Sequence, residues 1–372
     1  MNKINFSSPC HFGLESVLSG ELKRMGADNV AATNGRVNFS GDYATLAKAN
    51  LWLRTAERVQ IVLGSFKAST FEELFEGVAA LPLENFIGRF DAFPVKGWSL
   101  DSQLTSIPAC QSIIKKAAVK RLGRIYGINY FEETGAVHQL QFSLHKNECT
   151  LYLDTSGPGL HKRGYRPDAN EAPIKETLAA GILDIARIFP DTQIYDPCCG
   201  SGTFLIEAAL KAYNIAPGIK RRFSAEKWDQ IPESVWQNAR KEATESIRKG
   251  ITFNAFGSDI DPISISLTEK NSKKAGVSAK IQTEVADISQ FIAPEGKSLV
   301  VANPPYGERM MELKAAEEMY KTMGQVFEQK PGVSYFIISS HEEFEKFFGR
   351  KADKRRKLYN GMLKCQLFMY FG

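Results

Sequence analysis

Residues 193–207, Gln-Ile-Tyr-Asp-Pro-Cys-Cys-Gly-Ser-Gly-Thr-Phe-Leu-Ile-Glu, constrain the fold of this chain more than any other stretch. Ile194-Tyr195 reads as a buried strand, residues 198–202 as a glycine turn, and a helix is expected from Thr203 to about Tyr213. Strand, turn and helix in that order belong to an open α/β sheet, whose ligands bind at the carboxyl ends of its strands. Gly200 and Gly202 let the backbone bend tightly and approach a ligand that any Cβ would obstruct. Asp196, just past the strand, is placed to accept hydrogen bonds from an amine or a ribose. Leu205 stands where the dinucleotide fingerprint has its third glycine, and no Gly-Lys-Ser/Thr follows, so no phosphate cradle is expected.

The expected ligand is therefore a nucleoside without a pyrophosphate, and S-adenosylmethionine meets that description. A second stretch sharpens the reading. Ser298-Leu299-Val300-Val301-Ala302 is a short apolar strand ending in Asn303-Pro304-Pro305-Tyr306-Gly307. Prolines cannot feed a sheet ladder, so the strand stops there and presents the tetrapeptide at its carboxyl end. Asn-Pro-Pro-Tyr resembles the catalytic motif of methyltransferases that act on exocyclic amino groups of bases.

The chain of 372 residues is long enough for two or three domains, and 43% hydrophobic with 24% charged residues is ordinary globular composition. No apolar run is long enough to span a membrane, and the first residues lack the apolar core of a signal peptide. Six scattered cysteines contain no C-x-x-C, and Cys198 beside Cys199 suits neither a zinc clamp nor a disulfide. A cytoplasmic protein with neither a metal nor a membrane partner is expected. The net charge of +5 and pI near 8.7 allow a polyanionic partner.

Residues 1–63 read as a small α+β unit. Arg54 and Arg58 there read as a solvated helix face. In residues 64–155, Thr70 caps one helix and Pro108 opens another that runs to Gly123. Lys116, Lys120 and Arg124 form an i, i+4, i+8 stripe on that second helix, with Lys115 and Arg121 alongside. Lys96-Gly97-Trp98 adds a cation beside an aromatic. This basic surface is expected to contact RNA, together with Lys162, Arg163 and Arg166 of a linker over residues 156–171. From residue 172 to 372 the alternation of strands and helices demands a parallel sheet. A final pair of strands is joined around Asn360-Gly361, and residues 214–248 form an insertion rich in Lys, Arg and Trp.

Residues 64–155 resemble a THUMP domain, an RNA-binding module, preceded by a ferredoxin-like unit. The whole chain resembles bacterial THUMP-containing 23S rRNA guanine-N2-methyltransferases. The motifs behind this are residues 196–202 with Glu207, residues 303–307, the linker and the terminal hairpin. The resemblance implies a class I, Rossmann-like methyltransferase domain with a terminal antiparallel hairpin, S-adenosylmethionine as cofactor and RNA, most of all rRNA, as partner. It implies that Asn303, Pro304, Pro305 and Tyr306 are catalytic. Asn303 and Pro304 would accept the amine's hydrogens, Pro305 would stiffen the turn, and Tyr306 would stack on a flipped base. Cofactor contacts are expected from Asp196, Cys198, Gly200, Ser201, Gly202, Thr203, Asn303, Asp259 with Ile260, and Asp287 with Ile288. A tRNA guanine-N2-methyltransferase, an adenine-N6 DNA methyltransferase and a non-enzymatic assembly factor remain alternatives at this point.

Overall fold

The computed structural model describes residues 3–166, 173–307 and 310–372. Residues 167–171 of the expected linker, and residue 172 at the expected start of the last domain, lie outside the described residues.

The front half is built on one seven-stranded sheet. Its elements are β1 (Ile4–Pro9), α1 (Glu15–Arg24), β2 (Asp28–Thr33), β3 (Arg36–Gly41), α2 (Tyr43–Trp52) and β4 (Gln60–Lys67). Then come α3 (Phe71–Ala80), β5 (Val95–Leu100), α4 (Ile107–Tyr126), β6 (Leu140–His145) and β7 (Glu148–Asp154). The strand order is β2-β3-β1-β4-β7-β6-β5. Because β4 pairs antiparallel with β7, the two front units share one ladder, and a boundary between residues 63 and 64 falls inside β4.

Local chemistry sets the helix ends. Asp42 and Thr70 accept from the backbone N–H three residues on, and the residue there reaches back to complete a capping box. Ser106 caps α4, with Pro108 in its first turn. Contrary to expectation α4 runs past Gly123, because the left-handed residue that ends it is Gly127, at φ 64°.

The rear half carries α5 (Glu176–Ile185), β8 (Gln193–Asp196), α6 (Thr203–Ala212), α7 (Glu233–Glu245), β9 (Ala255–Asp259), α8 (Pro262–Ala275) and β10 (Ile281–Val285). It continues with β11 (Ser298–Ala302), α9 (Met310–Val326), β12 (Val333–Ser339), α10 (Phe344–Phe348), β13 (Lys354–Asn360) and β14 (Leu363–Tyr370). The order β10-β9-β8-β11-β12-β14-β13 has five parallel strands, with β14 antiparallel to both neighbours. The order reverses between β8 and β11, which puts the switch point, where open sheets bind ligands, beside both sequence motifs. The hairpin turn is one residue later than expected. Asn360 pairs with Leu363, so Gly361, at φ 62°, and Met362 are its central residues.

The middle of the 214–248 insertion packs on the front half. Trp228 and Trp236 are buried in the front core; Trp228 stacks on His138 at 4.4 Å and donates its indole N–H to the Val137 carbonyl at 3.1 Å. α7 lies against α2.

The described part of the linker is buried too. Leu160, Arg163 and Tyr165 are at most 4% exposed. The Tyr165 hydroxyl donates to Glu207 Oε1 at 3.0 Å, and Arg163 lies 3.5 Å from the same oxygen while donating to the Leu160 and Arg54 carbonyls. Arg166 pairs with Glu176 at 2.8 Å and donates to Thr203 Oγ1, also at 2.8 Å. The described part of the expected linker is therefore a brace between the front half and α6. Arg54 and Arg58, expected on a solvated face, belong to the same junction: Arg54 donates to the Leu210 and Ile215 carbonyls, and Arg58 pairs with Asp154.

Removing one charge from the Arg163–Glu207 pair strands the other where water cannot reach it. Arg163→Met is expected to lower unfolding free energy by roughly 3–5 kcal/mol in urea titrations, and Arg163→Met with Glu207→Leu to recover part of that loss. A single variant as stable as the parent would show that the pair does not hold the junction.

Candidate active site

After β8 the chain makes a turn that is bolted to β9 and α8. The Cys199 N–H donates to the Ser258 carbonyl at 3.0 Å and the Gly200 N–H to Asp259 Oδ2 at 2.9 Å. In return the Thr268 hydroxyl donates to the Gly200 carbonyl at 2.9 Å and the Asn271 amide to the Ser201 carbonyl at 3.0 Å. The two glycines divide the work. Gly202, at φ 78°, caps α6, and a Cβ there would sit 2.6 Å from Thr268 Cγ2. This corrects the expectation that both glycines clear a path for a ligand, because the close neighbour of Gly202 is protein. At Gly200, φ 53°, a Cβ would meet nothing, so that residue faces open space.

A crevice of about 450 Å³ opens at the carboxyl ends of β8, β9 and β10, lined by Tyr195, Asp196, Pro197, Ser258, Ala286 and Gln290 among others. Asp196 is buried and accepts from the Cys198 N–H at 3.2 Å. Burial, reinforced by the nearby Asp259 charge, pushes its carboxyl up to about 8. Asp259 is half-buried and braces the Gly200 and Asp261 N–H groups. Asp287 caps the turn 288–290, where hydrogen bonds from Ser289 hold its carboxyl below its ordinary value. Ile260 is exposed and Ile288 buried; Ser201 and Thr203 are buried with their hydroxyls 3.5 Å apart. Cys198 packs beside the aromatic core of the sheet's other face, and burial raises its thiol well above the ordinary range.

Val300 of β11 pairs with Tyr195 of β8, so Asn303 and Asp196 leave the ends of adjacent strands. Pro304 is buried and Pro305 exposed. The hydroxyl of the fully buried Tyr320 donates to the Pro305 carbonyl at 2.7 Å and fixes the turn from behind. A Cβ on Gly307, at φ 70°, would fall 2.5 Å from Leu313 Cα. Tyr306 is not the free stacking ring that was expected. It packs against the core and donates its hydroxyl to Asn303 Oδ1 at 2.6 Å, while the Asn360 amide donates to that hydroxyl at 3.4 Å. The acceptor expected to hold a substrate amine is thus filled by the motif's own tyrosine.

The expected RNA contacts divide. Lys116, Lys120 and Arg124 are exposed on α4, Lys96 lies with Trp98 on the outer face of edge strand β5, and Lys162 is exposed. Arg121 is held by Glu84, and Lys115 turns to Glu133 and the Phe93 carbonyl. Arg163 and Arg166 are withdrawn as RNA contacts, because their guanidinium groups are consumed inside the junction. Thr268, Asn271, Tyr320 and Asn360 were missed. Only the spacing of Thr268 and Asn271, one turn apart on the buried face of α8, could have marked them.

Among the described residues no group of His, Cys, Asp or Glu could hold a metal, and no helix is long and apolar enough to cross a membrane. Three family descriptions match the chain in succession: "RlmL ferredoxin-like domain" at residues 5–60, "THUMP domain" at 68–154 and "RMKL-like, methyltransferase domain" at 163–368. The "Putative RNA methyltransferase YpsC" of Bacillus subtilis (strain 168) is 43% identical over 373 residues, covering 100% of this chain and 97% of that protein. The ribosomal RNA large subunit methyltransferase K/L of Psychromonas ingrahamii is 33% identical over 99% of this chain, which spans half of that protein's length. The structure of SMU.472, solved in complex with SAH, superposes with a TM-score of 0.94 at 41% identity, covering 100% of this chain and 99% of that one.

The Asp196 carboxyl gives the fold a pH signature. Its folded pKa lies above its unfolded one, so between about 4 and 8 the native state binds the extra proton and loses stability as pH rises. Asp196→Asn removes that dependence, so its stability relative to the parent should climb across this window and level off above it. Parallel parent and variant curves in urea titrations from pH 4 to 9 would show that Asp196 ionises normally.

Proposed function

The chain belongs to the RMKL-like methyltransferase family, and on that premise we propose that it transfers a methyl group from S-adenosylmethionine to the exocyclic N2 amine of a guanine in RNA, 23S rRNA above all. The observation that carries the acceptor is the Asn303 side-chain oxygen, held at the carboxyl end of β11 beside the glycine turn that follows β8. Cytoplasmic rRNA fits the exposed cations of the THUMP unit and the family of the K/L relative.

The site suits a donor with a cationic amine. Gly200 leaves open space beside the crevice, and a buried carboxyl at Asp196 gains from a positive partner. Asp196, Gly200 and Asp259 would hold the donor, with Asp287 and Ile260 toward its nucleoside. S-adenosylmethionine supplies a methyl group already activated on a sulfonium sulfur. The protein's task is therefore alignment and electronic bias. Guanine N2 is a poor nucleophile because its lone pair is delocalised into the ring. Asn303 Oδ1 and the Pro304 carbonyl accept its two N–H groups, which favours a pyramidal nitrogen with its lone pair directed at the methyl carbon. As the N–C bond forms, the methyl–sulfur bond breaks with its electron pair left on sulfur as a neutral thioether; the amine becomes acidic and releases a proton to water, so no strong base is required. The base must be flipped out of its stack to enter. On entry its amine replaces the Tyr306 hydroxyl on Asn303, which frees the ring to stack on the base.

Digestion of rRNA and tRNA labelled by the enzyme from methyl-labelled donor tests the reading, with label expected in N2-methylguanosine from rRNA. Label in N6-methyladenosine would overturn it. Within the site, Asn303→Ala should lower the single-turnover rate by roughly two to four orders of magnitude, with donor and RNA affinity little changed. Tyr306→Phe, which keeps the ring and removes only the competing hydroxyl, should stay near the parent rate. Tyr306→Ala should lose roughly ten- to a hundredfold, the scale of one base stack. Normal turnover by Asn303→Ala would place the amine elsewhere.

A further inference from the structure

The turn between β13 and β14 exposes an apolar tip. Met362 is 97% exposed and Leu363 41%, at the end of a hairpin that buries Leu358, Cys365, Leu367 and Met369 in the core. A long apolar side chain held wholly in water gains nothing for the fold. The hairpin carrying it is rigidly mounted. Arg356 donates to the Gly13 carbonyl at 2.9 Å and to Ser16 Oγ at 2.8 Å, and Tyr359 meets Phe12 edge-on at 5.9 Å. It also reaches the catalytic motif directly: Asn360, two residues before Met362, donates to the Tyr306 hydroxyl, which donates to Asn303. Lys357 and Lys364 are exposed on the same hairpin, without an acidic partner among the described residues. Lys364 stands across from Tyr359, and the Lys357 ammonium lies 5.3 Å from that ring.

We propose that this tip is a wedge that enters the RNA stack where the target nucleotide leaves it, with Met362 filling the gap and Lys357 and Lys364 holding the flanking phosphates. The proposal rests on the reading that the acceptor is an RNA base. A nucleotide flipped into the Asn303 site leaves a cavity in its own stack, and that cavity collapses onto the base unless it is filled. An unbranched thioether adapts to an irregular gap, and apolar side chains serve in this way between base steps in other nucleic-acid complexes. The Asn360–Tyr306 contact adds a consequence. Tyr306 leaves Asn303 when the base arrives, so wedge and acceptor are engaged by the same nucleotide.

The test uses the full chain and the shortest rRNA stem-loop that the parent methylates, in two forms. In one the labelled nucleotide is paired; in the other the opposite nucleotide is deleted, so that the target is already bulged. Met362→Ala should slow single-turnover transfer about tenfold or more on the paired form and less than about twofold on the bulged one, one tenfold step being about 1.4 kcal/mol of unstacking. Met362→Leu should keep near-parent rates on both. Equal slowing of the two forms by Met362→Ala, or no slowing of either, overturns the wedge. The labelled nucleoside is identified in the same digest. A label away from guanine N2 overturns the acceptor assignment, while the paired-to-bulged ratio still decides the wedge.

Discussion

A carboxylate buried behind the cofactor turn organises this molecule. Glu207 lies one helical turn into α6, fully enclosed, and receives both the Tyr165 hydroxyl and the Arg163 guanidinium from the linker. The same linker sends Arg166 to Thr203, the first residue of α6. From the other side Arg54, just beyond α2, reaches the carbonyls at the end of α6. The helix that follows the glycine turn is therefore fastened by the linker at its start and by the front half near its end. Glu57 adds a second polar knot. Burial alone would raise its carboxyl, but hydrogen bonds from His11, His161 and Thr177 prevail and hold it far below the ordinary range. The two insertion tryptophans, clasped into the front core, add an apolar fastening between the halves.

The glycine turn and the Asn303 motif are held in different ways. The Cys199 and Gly200 N–H groups and the Gly200 and Ser201 carbonyls of the glycine turn are bonded to β9 or α8, so that turn is set before any ligand arrives, as electrostatic preorganisation requires. The acceptor motif is different. Its backbone is fixed by Tyr320 and by the close approach of Gly307 to α9, yet its key side-chain oxygen is occupied by Tyr306. On the proposed reading a substrate amine competes for that oxygen, which favours a base that also gains the stacking surface of the displaced ring.

The rear sheet was legible where its strands and turns carry local punctuation. The Asp196–Gly202 turn and the Asn303 motif fall where periodicity and punctuation placed them. What was illegible depends on partners far away in sequence. Five cations on or beside one stripe of α4 look alike until Glu84 and Glu133, from other elements, claim Arg121 and Lys115. Arg163 and Arg166 sit among linker glycines and look solvated, yet their carboxylate partners lie on α6 and α5. The role of Gly202 was misread for the same reason: its neighbour is Thr268, on another helix. The insertion's tryptophans gave no hint of which core they fill.

The central claim is that Asn303 holds the exocyclic amine of a guanine while that nitrogen takes the methyl group. Atomic substitution in the RNA addresses it directly. Once the modified nucleotide is located, a stem-loop carrying inosine there lacks only the N2 amine, and one carrying 2-aminopurine keeps the amine but lacks the ring carbonyl. The account predicts that the inosine RNA binds with parent affinity and accepts no methyl group, while the 2-aminopurine RNA is methylated. Transfer to the inosine RNA at the guanosine rate would contradict it, because the methyl group would then be going to an atom that Asn303 does not hold.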